Sequence, residues 1–485
     1  MKIRNSILAI LASCHLISAA PTSPLVESNK LRRGLKISQL QAQATELYGI
    51  ATRNDGHRAV GSLGASETID WVYGQISQDY YNVEIQNFTF SNLHMEDTFV
   101  VDGANVAAFC YSDSGDITAP ITVSAEMVRI SNNGCQASDY AVAAGKIGIM
   151  QIVSGSCSDT LPIGDWLRDA GVLGLIYLTD IDLPEEVLTP GPSSTLKSRD
   201  AVDPLVYCLL HTSRSQPVLD KLQPGSPAIS STITLSRWYE EIHTANIIAT
   251  TKGGNQNSVI VVGASTDSAN GSPGMNDNGS GTIAQLEISK ALTGFSVNNA
   301  VRFCWWGGSS PGLAGSRAYL EQLSAAEKAK IVMNLNGYML ASKNFKYAVL
   351  DGDGSSEPIT FFPSYSSGLI EKAFNDFFTI EESKPSVPTL VGGQSDHFAF
   401  FEDGIPAGGI TTGSRQLKTT AEAALFGGTA GQPYDACYGK PCDDLSNLNY
   451  RVFLSGTKAM AHVIAKYARD ITGFPFPRPP VEIIT

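Results

Sequence analysis

After Thr244 the chain alternates short apolar runs with helical segments, and this constrains its fold more than any other feature. Residues 245–249 and 258–263 have strand length and composition, 280–292 reads as a helix, and 300–306 reads as a strand. A helix over 312–323 and a strand over 328–335 continue the pattern. Strands covered on both faces read as near-continuous apolar runs, and helices between them permit parallel crossovers. The pattern predicts an α/β fold: a mostly parallel mixed sheet flanked by helices, with functional residues at strand ends.

Upstream the texture differs. Residues 37–78 read as helical with a break at 56–64, and 82–90 alternates like a strand. From about 119 to 235 the chain becomes β-rich. Gly145-Lys146-Ile147-Gly148-Ile149-Met150-Gln151 is a short buried strand, 165–170 is helical, and Gly174-Leu175-Ile176-Tyr177 is another strand. The tail Phe474-Pro475-Phe476-Pro477-Arg478-Pro479-Pro480 cannot continue a helix.

The 485 residues suffice for two or three domains, or one large domain with an insertion. With 17% charged and 43% hydrophobic residues the chain should fold. Its net charge of -13 lacks the footprint of a nucleic-acid or anionic-membrane binder, and reads as solubility. Lys2, Arg4, the apolar stretch 7–17 and Ser18-Ala19-Ala20 read as a signal peptide over 1–20, so a secreted, extracellular protein is expected. That stretch is too short for a membrane span, which needs about 20 residues. Residues 21–36, with Arg32-Arg33, are either a propeptide or a disordered mature N-terminus.

Without Cys14 of the signal, seven cysteines remain, so at least one thiol is free. Cys437 and Cys442 lie close together in a turn-rich stretch, and Cys135 and Cys157 flank a strand; these are the expected disulfides. Cys304, inside an apolar run, is expected to be a buried free thiol. Asn87-Phe88-Thr89 and Asn278-Gly279-Ser280 are glycosylation sequons. Asn87 is the better acceptor, because Asn278 lies in a loop where a structural role is expected. Pro273 disfavours modification of Asn270.

Two segments carry the chemistry: Gly263-Ala264-Ser265-Thr266-Asp267-Ser268 and Gly274-Met275-Asn276-Asp277-Asn278-Gly279-Ser280-Gly281. They resemble the secreted M28 aminopeptidases, two-zinc enzymes in which the first reads Gly-Ala-His-x-Asp-Ser and the second supplies a bridging Asp. The resemblance covers about 37–472. Gly145, Cys157 and Ala170-Gly171-Val172-Leu173-Gly174 are similar to the protease-associated domain inserted in many of these enzymes; an unrelated β-rich insertion is the alternative. The implied organisation is 1–20 signal peptide, 21–36 candidate propeptide, 37–118 and 236–472 peptidase-like, 119–235 insert and 473–485 Pro-rich tail.

Against the family pattern this chain departs at most metal positions. The His of the first segment is Ser265, while the bridging Asp is retained as Asp277. Where the family reads Trp-x-Ala-Glu-Glu-x-Gly-Leu, this chain reads Trp306-Gly307-Gly308-Ser309-Ser310-Pro311-Gly312-Leu313. Ser309 thus stands at the general base and Ser310 at a ligand. Tyr338 takes the place of a ligand Asp, and Gly439 that of the His between Cys437 and Cys442. Gln394 stands where an Arg is usual. A neutral hydroxyl is a poor zinc ligand, Gly439 has no side chain, and a phenol ionises only near pH 10. No catalytic residue, no metal and no cofactor are therefore expected, although active members of the family hold two zinc ions per chain.

Gly308-Ser309-Ser310-Pro311-Gly312 also matches the Gly-x-Ser-x-Gly elbow of serine hydrolases. That elbow needs an N–H from the residue after the nucleophile, and Pro311 has none. His397 beside Asp396 reads as a satisfied structural histidine. The expectation is a non-catalytic, monomeric M28 homologue with peptide or protein binding in the vestigial cleft. The alternative is a weak metal-dependent aminopeptidase using Asp277 and unforeseen ligands.

Overall fold

A computed structural model of the chain describes residues 23–112, 119–151, 162–179, 205–223, 229–356 and 365–477. The chain divides into two compact units: residues up to Thr89 with those from His243 on, and Phe90–Ile242. The expected signal peptide, 1–20, lies outside the described residues.

In the first unit, strands Asn299–Trp306, Asn255–Ser265, Ile331–Tyr338 and Ala407–Thr411 lie side by side in that order, all parallel. The end of strand Ile229–Thr251 pairs antiparallel beside Asn299–Trp306. Ala348–Leu350 pairs antiparallel on the opposite side and is followed by Val387–Thr389. This is the mainly parallel α/β sheet that the alternation predicts. Its two faces separate by the period of two along each strand. Ile260 and Val262 join a core with Leu286 and Met460 from helices Gly279–Leu292 and Tyr450–Arg469. Val259 and Val261 face the other way, toward Tyr319, Leu320 and Phe400 from helices Ala314–Gln322 and His397–Glu402. Burying apolar surface on both faces makes the sheet the middle layer.

Boundaries moved where local chemistry intervened. The helix expected from 312 starts at Ala314, because Gly312 and Leu313 hold positive φ values of 81° and 64°. The strand expected from 328 starts at Ile331, because Ser324 and Glu327 form a capping box on helix Ala325–Lys328. The 37–78 segment resolves into Ile37–Arg53 and Leu63–Tyr73, with Asp55 and Gly56 at positive φ between them.

The segment read as a candidate propeptide or a disordered N-terminus is neither loose nor peripheral from Ser23 on. Helix Ser28–Arg33 buries Leu31 completely, Val26 is also 0% exposed, and Leu25 bridges to Ser296. The packing corrects the disordered reading, and removing the segment would strip two side chains from the core.

In the second unit, Ile121–Arg129, Ile147–Gln151, Gly174–Thr179 and Val206–His211 form a parallel set. The start of Ile229–Thr251 and strand Phe109–Ser112 close its two edges antiparallel. Cys110 and Cys208 are directly opposed there and form a disulfide the sequence did not reveal. They lie 98 residues apart, so only the strand register brings them together. Cys135 is disulfide-bonded, whereas Cys157 lies outside the described residues. In the first unit Cys437 and Cys442 are bonded and Cys304 is free and buried. Among the described residues no helix is long and apolar enough to cross a membrane.

Candidate functional site

The parallel strands end on one edge of the sheet. Ser265 is paired with Trp306, and Gly263 with Asn336, so the following loops leave from a common rim. Ser265, Ser309, Ser310 and Tyr338 therefore belong to one site, as their motifs imply. Arg58, absent from the sequence argument, anchors its base. Its fully buried guanidinium donates to the carbonyls of Thr266, Pro273 and Gly274, and its backbone N–H to Ser268 Oγ. Burial pushes its pKa down to about 10, while Asp267, Asp443 and Asp277 favour its charge. A run of unsatisfied carbonyls in a loop is a signal that a buried donor must exist, but nothing in the sequence says which one.

Loop 307–313 is held by two buried carboxylates. Asp267 Oδ1 accepts from the N–H groups of Gly308 at 3.0 Å and Ser309 at 2.9 Å, and its Oδ2 accepts from Ser310 N–H at 3.1 Å. Asp396 accepts from Ser309 Oγ at 2.6 Å and from Ser316 Oγ at 2.7 Å. Burial pushes Asp396 up to about 6, against the two hydroxyl bonds that favour its ionised form. The position of the family's general base is thus a hydroxyl spent on a carboxylate. Ser310, the centre of the apparent elbow, is exposed, and its N–H is already committed to Asp267.

His397 is not the satisfied histidine expected from sequence. Both oxygens of Asp396 are taken by serines, and the His397 ring instead stacks on Tyr338, with centroids 6.0 Å apart and planes 20° apart. Among the described residues neither ring nitrogen has a side-chain or backbone hydrogen bond of ordinary geometry. Burial pushes its pKa down to about 3, opposed by the Gly392 backbone nearby. The Ser309 hydroxyl donates to Asp396 and not to this ring.

Loop 274–281 is built differently. Asn276 is fully buried; it donates to Asp435 Oδ2 at 2.7 Å and to Ser342 Oγ at 3.1 Å, and accepts from Ala341 N–H at 2.9 Å. The N–H groups of Asn276 and Asp277 donate to the two oxygens of Asp443. Asn447 bridges Asp435 and Asp443. Burial, with Asp435 beside it, pushes Asp443 up to about 7. Asn278 caps helix Gly279–Leu292 by accepting from Gly281 N–H, and also accepts from Met339 N–H. At 3% exposed and fully engaged it cannot accept a glycan in the folded chain, which corrects that candidate. Asn87 is exposed on strand Tyr81–Val101.

Gly439 sits at φ +65° in the turn closed by Cys437 and Cys442, and a Cβ there would meet nothing within 4 Å. Asp435 and Asp443 flank this turn and grip Asn276, so Gly439 is tied to the loop of Asp277. The donors assembled at the ligand positions are one carboxylate (Asp277), two serine hydroxyls and a phenol; Gly439 contributes none. That set does not fit a pair of zinc ions, which need imidazole and carboxylate ligands. Among the described residues, the acidic group close enough to share an ion is Asp351, Asp353 and Glu371, which includes none of these positions.

Comparison with known proteins agrees with this geometry at the level of family and fold. Residues 246–465 match the model of Peptidase family M28. Over 461 residues the chain is 34% identical to "Leucine aminopeptidase 2" of Trichophyton rubrum, covering 94% of this chain and 89% of that one. An aminopeptidase from Aneurinibacillus sp. strain AM-1 superposes with a TM-score of 0.63 at 20% identity, covering 91% of this chain and 96% of that one. A zinc aminopeptidase from Bacillus subtilis gives 0.60 at 19% identity, covering 90% and 96%.

Proposed function

The chain belongs to peptidase family M28, and from that premise we propose that it is a secreted, non-catalytic member whose old cleft binds peptide or protein ligands. The observation that carries this reading is the state of Ser309. At the general-base position a carboxylate would have to take a proton from water. Here a hydroxyl donates its own proton to buried Asp396 at 2.6 Å. The same loop has three amides committed to Asp267. With Ser265, Ser310, Tyr338 and Gly439 at the other positions, no pair of divalent cations is concentrated and water stays unactivated.

Asp277 remains half-buried on the rim. A half-buried carboxylate on the rim suits the ammonium group of a peptide N-terminus, which gives the binding role its chemistry. No nucleic-acid or membrane partner is expected, and the chain acts as a monomer. A second reading, a weak metal-dependent aminopeptidase, draws on the same Asp277 and on the family's active members.

Purified protein assayed on aminoacyl substrates with added zinc separates the two. The non-catalytic reading expects no turnover above background and well under one zinc per chain by metal analysis. Turnover that a chelator abolishes and Asp277→Ala removes would overturn it. A variant restoring the family residues at Ser265, Ser309, Ser310, Tyr338 and Gly439 should gain zinc binding that the native chain lacks.

A further inference from the structure

A second polar cavity lies in the same unit, away from the rim. It has a volume of about 570 Å³ and is walled by Glu84, Thr250, Arg302, Tyr319, Gln322 and Glu327 among others. Arg302 precedes the end of its strand at Trp306 by four residues, which is roughly 13 Å along an extended chain. The cavity is therefore distinct from the cleft around Asp277.

Its floor is a preset cation. Arg302 Nε donates to Thr250 Oγ1 at 2.9 Å and Nη1 donates to the Tyr319 hydroxyl at 2.7 Å. Both contacts fix the plane of the guanidinium. Among the described residues nothing accepts from Nη2, and that atom is not sealed from solvent, so its donors face the cavity. Gln322 is oriented in turn: its Oε1 accepts from Gln86 Nε2 at 2.9 Å, which leaves the Gln322 Nε2 donors outward. Glu84 also lines the cavity and is exposed. Burial works against the charge of Arg302, yet Tyr319, Cys304 and Glu84 together raise its pKa. Positive and negative groups thus line one cavity, with Arg302 oriented by Thr250 and Tyr319.

We propose that this cavity binds a small zwitterion of the amino-acid or dipeptide class. Its carboxylate would accept from Arg302 Nη2 and Gln322 Nε2, and its ammonium group would donate to Glu84. The volume falls within the roughly 300–1,000 Å³ typical of small-molecule sites. A simple anion would meet Glu84 and Glu327, and a simple cation would meet Arg302, so a guest carrying both charges is favoured over either.

Isothermal titration of the full chain with glycyl-leucine tests this, alongside N-acetyl-glycyl-leucine and glycyl-leucinamide. A saturable site that persists in Asp277→Ala is expected. Capping either end, or Glu84→Gln or Gln322→Ala, should weaken binding by roughly tenfold, the scale of a lost charge-assisted hydrogen bond. Glu84 and Gln322 are both exposed, so these variants should fold. Absence of saturable binding up to millimolar dipeptide would overturn the proposal. Binding indifferent to both substitutions would also overturn it, and would place the dipeptide elsewhere. The test is independent of turnover and of zinc, so its failure leaves the non-catalytic reading where it stood.

Discussion

Loops 307–313 and 274–281 leave the same edge of one sheet, and buried carboxylates hold both. In the first, Asp267 and Asp396 are saturated by three amides and two hydroxyls of the loop and the following helix. In the second, Asp435 and Asp443 are shared with Asn276, Asn447 and the Asp277 amide, and Asp277 keeps its carboxylate on the rim. The first loop carries Ser309 and Ser310 and satisfies its own polar groups. The second carries Asp277. The difference teaches that a loop at a strand end can be closed from behind when short hydroxyl side chains and amides turn inward onto buried acids. An emptied cluster of acids would repel itself, whereas this arrangement gives each buried charge partners.

The contrast can be tested from its strongest consequence downward. Asp267→Ala orphans three amides of the first loop. A loss of about 3–5 kcal/mol in urea unfolding is expected, and a loss under about 1 kcal/mol would show that the loop does not depend on this acid. Asn276→Ala breaks the other network. About 2–4 kcal/mol is expected, and the double variant should equal the sum within about 0.5 kcal/mol if the two brackets are separate. A larger coupling would mean that they form one network.

The third consequence concerns pH and belongs to the second loop. Asp443 titrates near 7 in the fold, whereas an unfolded Asp titrates near 3.9. The folded chain therefore holds a proton that the unfolded chain has lost, and stability falls as pH rises through 7. His397 and His462, whose pKa values burial lowers, act oppositely and still gain part of their contribution between about pH 6.5 and 8. Comparison with Asp443→Asn isolates the carboxyl: between about pH 6.5 and 8 the native chain should lose about 1 kcal/mol more than the variant. Identical pH profiles for the two would contradict the buried, protonated state.

The smallest expected effect is covalent. With Asn278 consumed as a cap and Asn87 exposed, enzymatic deglycosylation of secreted protein should reveal a single N-glycan, removed by Asn87→Gln. The substitution should change stability by no more than about 0.5 kcal/mol. A second glycan, at Asn278, would mean that the 274–281 loop opens.

Much of the peptidase-like sheet was legible because its strands are continuous apolar runs and its helices carry the 3.6 period. The runs at 258–263 and 300–306 needed nothing more. Misplaced boundaries trace to short-range chemistry of low contrast, such as the left-handed Leu313 and the capped turn at Ser324. The five candidate ligand positions were proposed from motifs, since each sits at a strand end or in a turn with recognisable neighbours. The partners behind them could not be. Asp396 lies 87 residues from Ser309, and Arg58 lies 208 from Thr266. No local pattern encodes such pairs, nor the stacking of His397 on Tyr338.

Residue types alone set the expectation that imidazole and most acidic groups are missing from the positions matched to the family's metal ligands, because a side chain's donor atoms travel with its identity. The same holds for the α/β class, since periodicity is a property of the chain read in order. Only the folded arrangement decided what the replacements do. Whether a serine is idle or bound, whether a carboxylate titrates near 4 or near 7, and whether Cys110 meets Cys208 all depend on which distant groups share one low-dielectric space. That proximity is set by strand register and burial, and neither is a local function of sequence.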